Sequence, residues 1–136
     1  MKKDDCIFCK IANGEIPSAT VYETPECRVI LDLAPANQGH ALILTKEHYD
    51  NIYQLDEETA GKVFSLATHV AKAVQEETGC EGLNIVQNNG EVAGQTVFHF
   101  HMHLIPRYAG EKAIMEWNHK DFSDEDLKKI CGEMKM

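Results

Sequence analysis

The chain has 136 residues, the length of one ordinary domain, and its content of 43% hydrophobic and 26% charged residues is typical of a globular fold. Its 13 basic and 22 acidic residues give a formal net charge of −9, which repels nucleic acid and anionic membrane surfaces at long range. No apolar run is long enough to span a bilayer, and no apolar segment follows the first two lysines as in a secretory signal. We therefore expect a cytoplasmic protein with no nucleic-acid or membrane partner.

The N-terminal third is predicted to form a short helix and three strands. Asp5 can cap a helix that reaches Lys10–Asn13, and Gly14 can follow it with a positive φ. The predicted strands lie between proline- and glycine-containing turns and cover Val21–Glu23, Arg28–Leu33 and His40–Thr45.

One long amphipathic helix is predicted from Glu57 to Thr78, with Asp56 as its N-cap and Gly79 after its last residue. Its apolar positions recur in steps of three and four and are Ala60, Val63, Phe64, Ala67, Val70, Ala71 and Val74. This apolar stripe is wide, so the helix is also a candidate interface with a second copy of the chain.

The C-terminal half is predicted to add two paired strands, Gly82–Asn88 and Val97–Ile105, with Pro106 ending the second. Ser123 begins a capping box for a last helix through Gly132. We predict a single α+β domain over residues 1–136, with a mostly antiparallel five-stranded sheet, one long helix and short N- and C-terminal helices.

Three histidines alternate with apolar residues near the end of the second of these strands. Side chains of a strand alternate between its faces, so His99, His101 and His103 are predicted to share one face at a spacing of about 6.6 Å. Three imidazoles can hold a catalytic zinc ion, or one neutral imidazole can act as a nucleophile that the others help to position. Neutral polar groups that suit a phosphate precede the histidines and favour the second interpretation; they are Asn88, Gln95 and Thr96.

This segment, H-F-H-M-H-L-I preceded by A-G-Q-T-V and followed by P-R-Y-A-G, resembles the histidine triad (HIT) superfamily of nucleotide hydrolases and transferases. The resemblance extends to C-I-F-C-K-I-A-N-G-E-I-P, L-D-L-A-P-A-N-Q-G-H-A-L-I-L-T-K-E-H and N-I-V-Q-N-N-G. It covers residues 5–110, and residues 111–136 form an extension that matches no pattern we recognise. The resemblance implies a HIT-like fold in which two half-barrel sheets join across a homodimer.

The resemblance also implies roles for individual residues. His101 would attack the α-phosphorus of a nucleotide and form a nucleotidyl-histidine intermediate, His103 would hydrogen-bond a phosphoryl oxygen, and His99 would support the pocket. Asp32 would bind the ribose hydroxyls and Leu33 would line the nucleoside pocket. The remaining substrate-binding positions are Asn88, Gln95 and Thr96 at the phosphate or leaving group, and His40 beside the triad.

The cysteines raise a separate question about metal. Cys6 and Cys9 have the spacing of half a zinc site, whereas the other three cysteines are read as ordinary thiols. The C-x-x-C pattern with K-E-H downstream resembles a zinc-bearing bacterial subgroup of HIT proteins. That resemblance implies a closed, structural zinc site made by Cys6, Cys9, His48 and His99; the alternative is two free cysteines in a helix.

The function we expect is hydrolysis of nucleoside phosphoramidates or related purine mononucleotide conjugates, with no metal needed for the chemistry. A close alternative is hydrolysis of dinucleoside polyphosphates such as diadenosine tetraphosphate. Two alternatives of other classes are a nucleotide-binding signalling protein with incidental catalysis and a three-histidine metallohydrolase.

Overall fold

A five-stranded antiparallel sheet forms the centre of the protein, which a computed structural model describes over residues 1–112, 117–134 and 136. The strands are β1 (Thr20–Glu23), β2 (Cys27–Leu31), β3 (Ala41–Thr45), β4 (Gly82–Val86) and β5 (His101–Arg107). They lie in the order β1-β2-β3-β5-β4, so the histidine-bearing strand β5 is flanked on both sides. The predicted α+β class and antiparallel sheet are confirmed. Residues 113–116 and 135 of the predicted C-terminal extension lie outside the described residues.

Two helices, α1 (Ile7–Ala12) and α2 (Glu57–Thr78), cover opposite faces of this sheet, and a third, α3 (Asp124–Glu133), has no buried residue. The core between the sheet and α2 includes Ile43, Val63 and Leu104, whereas Leu42 and Leu44 face α1 on the other side. The α1 face is also the face of the catalytic candidates, because Leu42 and Leu44 stand directly opposite two histidines of β5.

The long helix α2 confirms both predicted ends. The Asp56 carboxylate accepts the backbone N–H of Thr59, and Gly79 adopts a left-handed conformation with φ of 68°. One position in the predicted apolar stripe is wrong: Phe64 is 55% exposed, whereas Leu66 is buried. Leu66 completes an i, i+3, i+4, i+7 set with Val63, and Phe64 lies 100° around the helix from that residue.

The predicted limits of the histidine strand are wrong at both ends. β5 begins at His101, because the preceding segment is bent and the Phe100 N–H donates to Tyr49 O at 2.7 Å instead of extending the pairing with β3. It continues through Pro106, which the sequence predicts as a stop. Pairing with β3 ends at Leu104, so beyond it β5 has β4 as its one partner, and a proline without an N–H is tolerated there.

Other boundaries move by one or two residues for local reasons. Cys6, not Asp5, caps α1, because the Cys6 sulfur accepts the Cys9 N–H. Strand β2 ends at Leu31 and not at Leu33, because the Asp32 carboxylate accepts the Ala34 N–H and turns the chain. The capping box at Ser123 is confirmed, with α3 continuing to Glu133. Among the described residues, no helix is both long and apolar enough to cross a membrane.

Candidate active site and metal centre

The middle histidine, His101, is held with one ring nitrogen available for attack. Its Nδ1 lies 2.6 Å from the carbonyl oxygen of His99, which can accept a hydrogen bond only, so Nδ1 carries the proton and donates it. Nε2 of His101 then has an unshared lone pair. It contacts no hydrogen-bonding partner within the described part of the chain, where every buried side-chain nitrogen or oxygen has one, so Nε2 is open to solvent. This arrangement is the one that a nucleophilic imidazole requires.

The electrostatics of the site favour uncharged imidazoles. Burial lowers the pKa of His101 below its ordinary range, although the hydrogen bond to His99 opposes this shift. Burial, together with the neighbouring rings of His101 and His40, lowers the pKa of His103 to about 4. At neutral pH both rings are therefore uncharged, and the lone pair of His101 is not blocked by a proton.

His103 lies beside His101, with ring centres 5.1 Å apart, and it contacts His40 in the segment between β2 and β3. Its Nδ1 is 2.9 Å from Nε2 of His40, which in turn is 3.5 Å from the Asp32 carboxylate. The other nitrogen of His40, Nδ1, accepts the backbone N–H of Ala36 at 3.0 Å. The structure therefore brings together four of the predicted site residues on the α1 face of the sheet.

Phe8 of α1 is a neighbour of the histidines that sequence reasoning missed. Its ring meets the ring of His101 edge-on, with centres 4.9 Å apart, and lies 6.1 Å from the ring of His99. Aromatic edge-to-face contacts of this kind contribute about 0.5–1.5 kcal/mol and restrict ring orientation. The signal in the sequence was its position between Cys6 and Cys9, on the short helix that those residues place beside the triad.

The other predicted substrate-binding residues differ in how available they are. Leu33 is 93% exposed, so among the described residues nothing packs closely around it to form the wall of a nucleoside pocket. Asn88 and Thr96 have side chains without a hydrogen-bond partner among the described residues, and both remain accessible. They are free to meet a phosphate or leaving group.

Gln95, in contrast, is buried and its amide is fully engaged. The Gln95 carbonyl oxygen accepts the Gly90 N–H at 2.8 Å, while its amide nitrogen donates to Asp50 O at 2.7 Å and to Val97 O at 3.1 Å. This side chain ties the loop before the triad to the segment after β3. Gln95 therefore positions the loop, and its amide has no free donor for a phosphate.

Four predicted metal ligands converge beside the triad, where α1 lies next to the segment that precedes β5. The ligand atoms of Cys6, Cys9, His48 and His99 all lie within 4.8 Å of one another. His99 Nδ1 is 3.3 Å from the Cys6 sulfur and 3.4 Å from the Cys9 sulfur, and His48 Nδ1 is 3.3 Å from the Cys9 sulfur. Sulfur and nitrogen ligands of a tetrahedral zinc ion stand about 3.5 Å apart, so the four-ligand cluster has the dimensions of such a site.

The surroundings of these imidazoles fit a metal as well. His99 Nε2 donates to Thr45 O and His48 Nε2 donates to the Asp50 carboxylate, each at 2.7 Å. A ligating histidine is held in this way, with one N–H bonded to an oxygen and the other nitrogen unprotonated. Burial also lowers the pKa of His99 to about 4, which keeps its Nδ1 lone pair available. The residues present therefore fit a four-coordinate zinc ion with no position left for water.

A large cleft lies on the other face of the sheet. It encloses about 740 Å³ between α2 and the strands β1 and β2, and its lining includes Tyr22, Leu31 and Val74. Ala41 and Val70, which also line it, belong to the α2 side of the sheet, whereas the histidines lie on the α1 side. The cleft therefore contains none of the chemistry described above.

Comparison with known proteins agrees with this arrangement. The chain matches the HIT domain family over residues 13–110. It is 43% identical over 134 residues to Protein hit of Bacillus subtilis, covering 96% of this chain and 92% of that protein. It is 38% identical to Adenosine 5'-monophosphoramidase hnt1 of Schizosaccharomyces pombe, covering 95% of each. The crystal structure of SMU.412c from Streptococcus mutans superimposes with a TM-score of 0.91 at 38% identity, over 97% of this chain and 84% of that one. The protein thus belongs to the HIT family.

Proposed function

We propose that the protein is a hydrolase of the HIT type that releases purine mononucleotides from phosphoramidates through a nucleotidyl-His101 intermediate. The observation that supports this most directly is the hydrogen bond from His101 Nδ1 to His99 O, which leaves Nε2 unprotonated and open. The similarity to a protein named as an adenosine 5'-monophosphoramidase supports both the reaction and the adenine nucleotide.

The reaction follows from that geometry in two steps. His101 Nε2 attacks the α-phosphorus, a nitrogen–phosphorus bond forms, and the bond from phosphorus to the leaving amine breaks as the amine takes up a proton. The positive charge that develops on the His101 ring is stabilised by the Nδ1–H bond to His99 O. Water then attacks phosphorus, breaks the bond to His101 and releases one proton, so the two steps consume one water.

The neighbouring side chains can stabilise and orient the nucleotide. We propose that His103 donates to a phosphoryl oxygen, where preorganised donors stabilise the charge of the transition state. Asn88 and Thr96 are the free polar groups for the phosphate or leaving atom, and Asp32 is the acceptor for the ribose hydroxyls. We assign Gln95 to the positioning of their loop, because its amide is engaged with three backbone groups.

We propose zinc as the metal of the four-ligand cluster, with a structural role. Bound there, it would link α1 to the segment that precedes β5. The chemistry would then proceed without it, because His101 and His103 are not among the four ligands. Zinc would supply rigidity to His99, whose carbonyl oxygen holds the nucleophile.

We also propose a homodimer with α2 at the interface, as in the half-barrel pairing that the resemblance implies. The outer side of α2 presents Phe64, which is 55% exposed and is therefore an apolar group available for such an interface. Light scattering at micromolar concentration is expected to give twice the mass of one chain. Phe64→Glu is expected to give one chain mass, and a monomeric wild-type protein would contradict the proposal.

The proposed reaction is tested by following AMP release from an adenosine phosphoramidate, with diadenosine tetraphosphate as a competing substrate class. We expect turnover of the phosphoramidate that is unaffected by brief exposure to a chelator. Faster turnover of the dinucleotide would contradict a phosphoramidase and favour the alternative function, hydrolysis of dinucleoside polyphosphates. Nucleotide binding without turnover of either substrate would contradict a hydrolase.

The rate is also expected to have a characteristic pH dependence. Protonation of His101 removes its lone pair, so kcat/KM falls as pH drops through the pKa of this ring and is constant above it. Because burial lowers that pKa, we expect the half-maximal rate below the ordinary histidine value of about 6.5. The measurement is kcat/KM between pH 4 and pH 8, with a substrate whose own charge is constant there. A rate already halved at pH 7 would contradict the assignment.

A further inference from the structure

A second group of possible metal ligands lies next to the catalytic candidates. Asp32, His40 and His103 offer ligand atoms within 4.8 Å of one another, as close as those of the four-ligand cluster. By distance alone, this group could hold a divalent cation. The direction of its hydrogen bonds indicates a different role.

The decisive contact is the backbone N–H of Ala36, which points at Nδ1 of His40 from 3.0 Å. A backbone N–H can only donate, so Nδ1 of His40 accepts and carries no proton. A neutral His40 therefore carries its proton on Nε2. A metal ion on Nε2 would require the proton to move to Nδ1, directly against the Ala36 N–H. In His48 and His99, which fit a metal, the nitrogen that points away from the cysteines is Nε2, and it faces an oxygen acceptor to which it can donate its proton.

With its proton on Nε2, His40 has one close acceptor. Nδ1 of His103 lies 2.9 Å away, whereas the Asp32 carboxylate oxygen lies 3.5 Å away. His40 Nε2–H therefore donates to His103 Nδ1. A neutral His103 that accepts on Nδ1 must carry its own proton on Nε2.

We propose that His40 is a positioning residue that fixes the tautomer of His103, so that the Nε2–H of His103 is always presented as a donor to the substrate phosphoryl group. The inference rests on the proposed function for its catalytic consequence, but not for the tautomer itself. It describes a chain of hydrogen bonds from Ala36 N–H to His40 and from His40 to His103, in which no proton is transferred. Nε2 of His103 has no partner among the described residues, so this donor is free for a ligand.

The electrostatics keep this chain of hydrogen bonds in one state at neutral pH. Burial lowers the pKa of His40, an effect that the Arg107 charge reinforces and the Asp32 carboxylate opposes. The pKa of His103 is lowered to about 4, with burial as the main cause. At pH 7 each ring is therefore neutral and carries a single proton. A second proton on His40 would also face the Ala36 N–H, which disfavours the charged form by geometry.

The direct test is NMR spectroscopy of the wild-type protein labelled with ¹⁵N histidine, without ligand, at pH 7. We expect both His40 and His103 to carry their proton on Nε2. We also expect a ¹⁵N–¹⁵N coupling across the hydrogen bond between His40 Nε2 and His103 Nδ1. A proton on Nδ1 of His103, or a proton on Nδ1 of His40, would overturn the proposal whatever the substrate.

Two variants test the consequence for catalysis. His40→Leu removes the donor, so we expect loss of the coupling, appearance of the second His103 tautomer and a fall in kcat of about 10- to 100-fold with a smaller change in KM. His40→Gln keeps an N–H donor at this place and is expected to retain kcat within about threefold. The His101 tautomer, held by His99 O, should be unchanged in both variants and reports that the site is folded.

The outcomes separate this inference from the proposed function. If the wild-type protein hydrolyses no nucleotide but shows the expected tautomers, the proposed function fails and the hydrogen-bond chain stands. If His40→Leu leaves the His103 tautomer or kcat unchanged in an active enzyme, the positioning role fails and the proposed function stands.

Discussion

Replacing His101 by alanine is expected to reduce AMP release by at least about 10⁴-fold, because the variant loses the atom that forms the covalent intermediate. Binding of the nucleotide should change much less, since the phosphate and ribose contacts come from other residues. The measurement is kcat under substrate saturation together with the Kd for AMP. His103→Ala removes a donor and keeps the nucleophile, so its expected loss is smaller, about 10²- to 10³-fold.

His119→Ala is the control for this experiment, because His119 is exposed and lies in the extension after β5. We expect its kcat to equal that of the wild type. A His101→Ala variant that retains a tenth or more of the wild-type rate would contradict a covalent role for this imidazole, and would favour direct attack of water on the substrate.

Replacing Cys9 by serine is expected to release zinc and to destabilise the fold. A metal whose free concentration is a thousand times its Kd stabilises the folded state by about 4 kcal/mol. For a domain of this size, loss of that metal corresponds to a decrease of ~10–20 °C in Tm. Elemental analysis should give one zinc per wild-type chain and less than a tenth of that in the variant. Catalysis should weaken as well, because a mobile His99 holds the His101 ring less firmly.

Cys131→Ser is the matched control, since Cys131 is an exposed cysteine on α3 and is not one of the four ligands. Its zinc content and Tm should equal those of the wild type. A wild-type protein purified without chelator that is folded, contains no metal and has both Cys6 and Cys9 titratable would contradict the zinc proposal.

The sequence predicts those parts of the fold that depend on local signals. The long helix α2 was predicted to the residue, because its cap at Asp56 and its glycine terminator at Gly79 act on the backbone beside them. The pairing of β5 with β4 was predicted, whereas its pairing with β3 was not, because β3 and β5 are distant in the sequence. The passage of β5 through Pro106 has the same origin, since it depends on where β3 ends.

For the candidate site as well, features with a local sequence signal were predicted and features that depend on distant contacts were not. Alternation and resemblance placed the three histidines and the four metal ligands in the sequence, and the structure brings them together. Three features depend on groups that no motif marks: the full engagement of Gln95, the contact of Phe8 with His101, and the direction of the hydrogen bond between His40 and His103. The direction of that hydrogen bond depends on the backbone N–H of Ala36, and the turn of the chain before β3 places this N–H at His40.

The central claim is that Nε2 of His101 takes a nucleotidyl group onto itself. It is tested by mixing enzyme with an adenosine phosphoramidate that has a good leaving group, quenching within milliseconds in alkaline denaturant, and sequencing the peptide by mass spectrometry. We expect one adenylyl group on His101, formed and lost at least as fast as kcat. An active enzyme with no adenylyl group at any time, or with the group on His103, would contradict it.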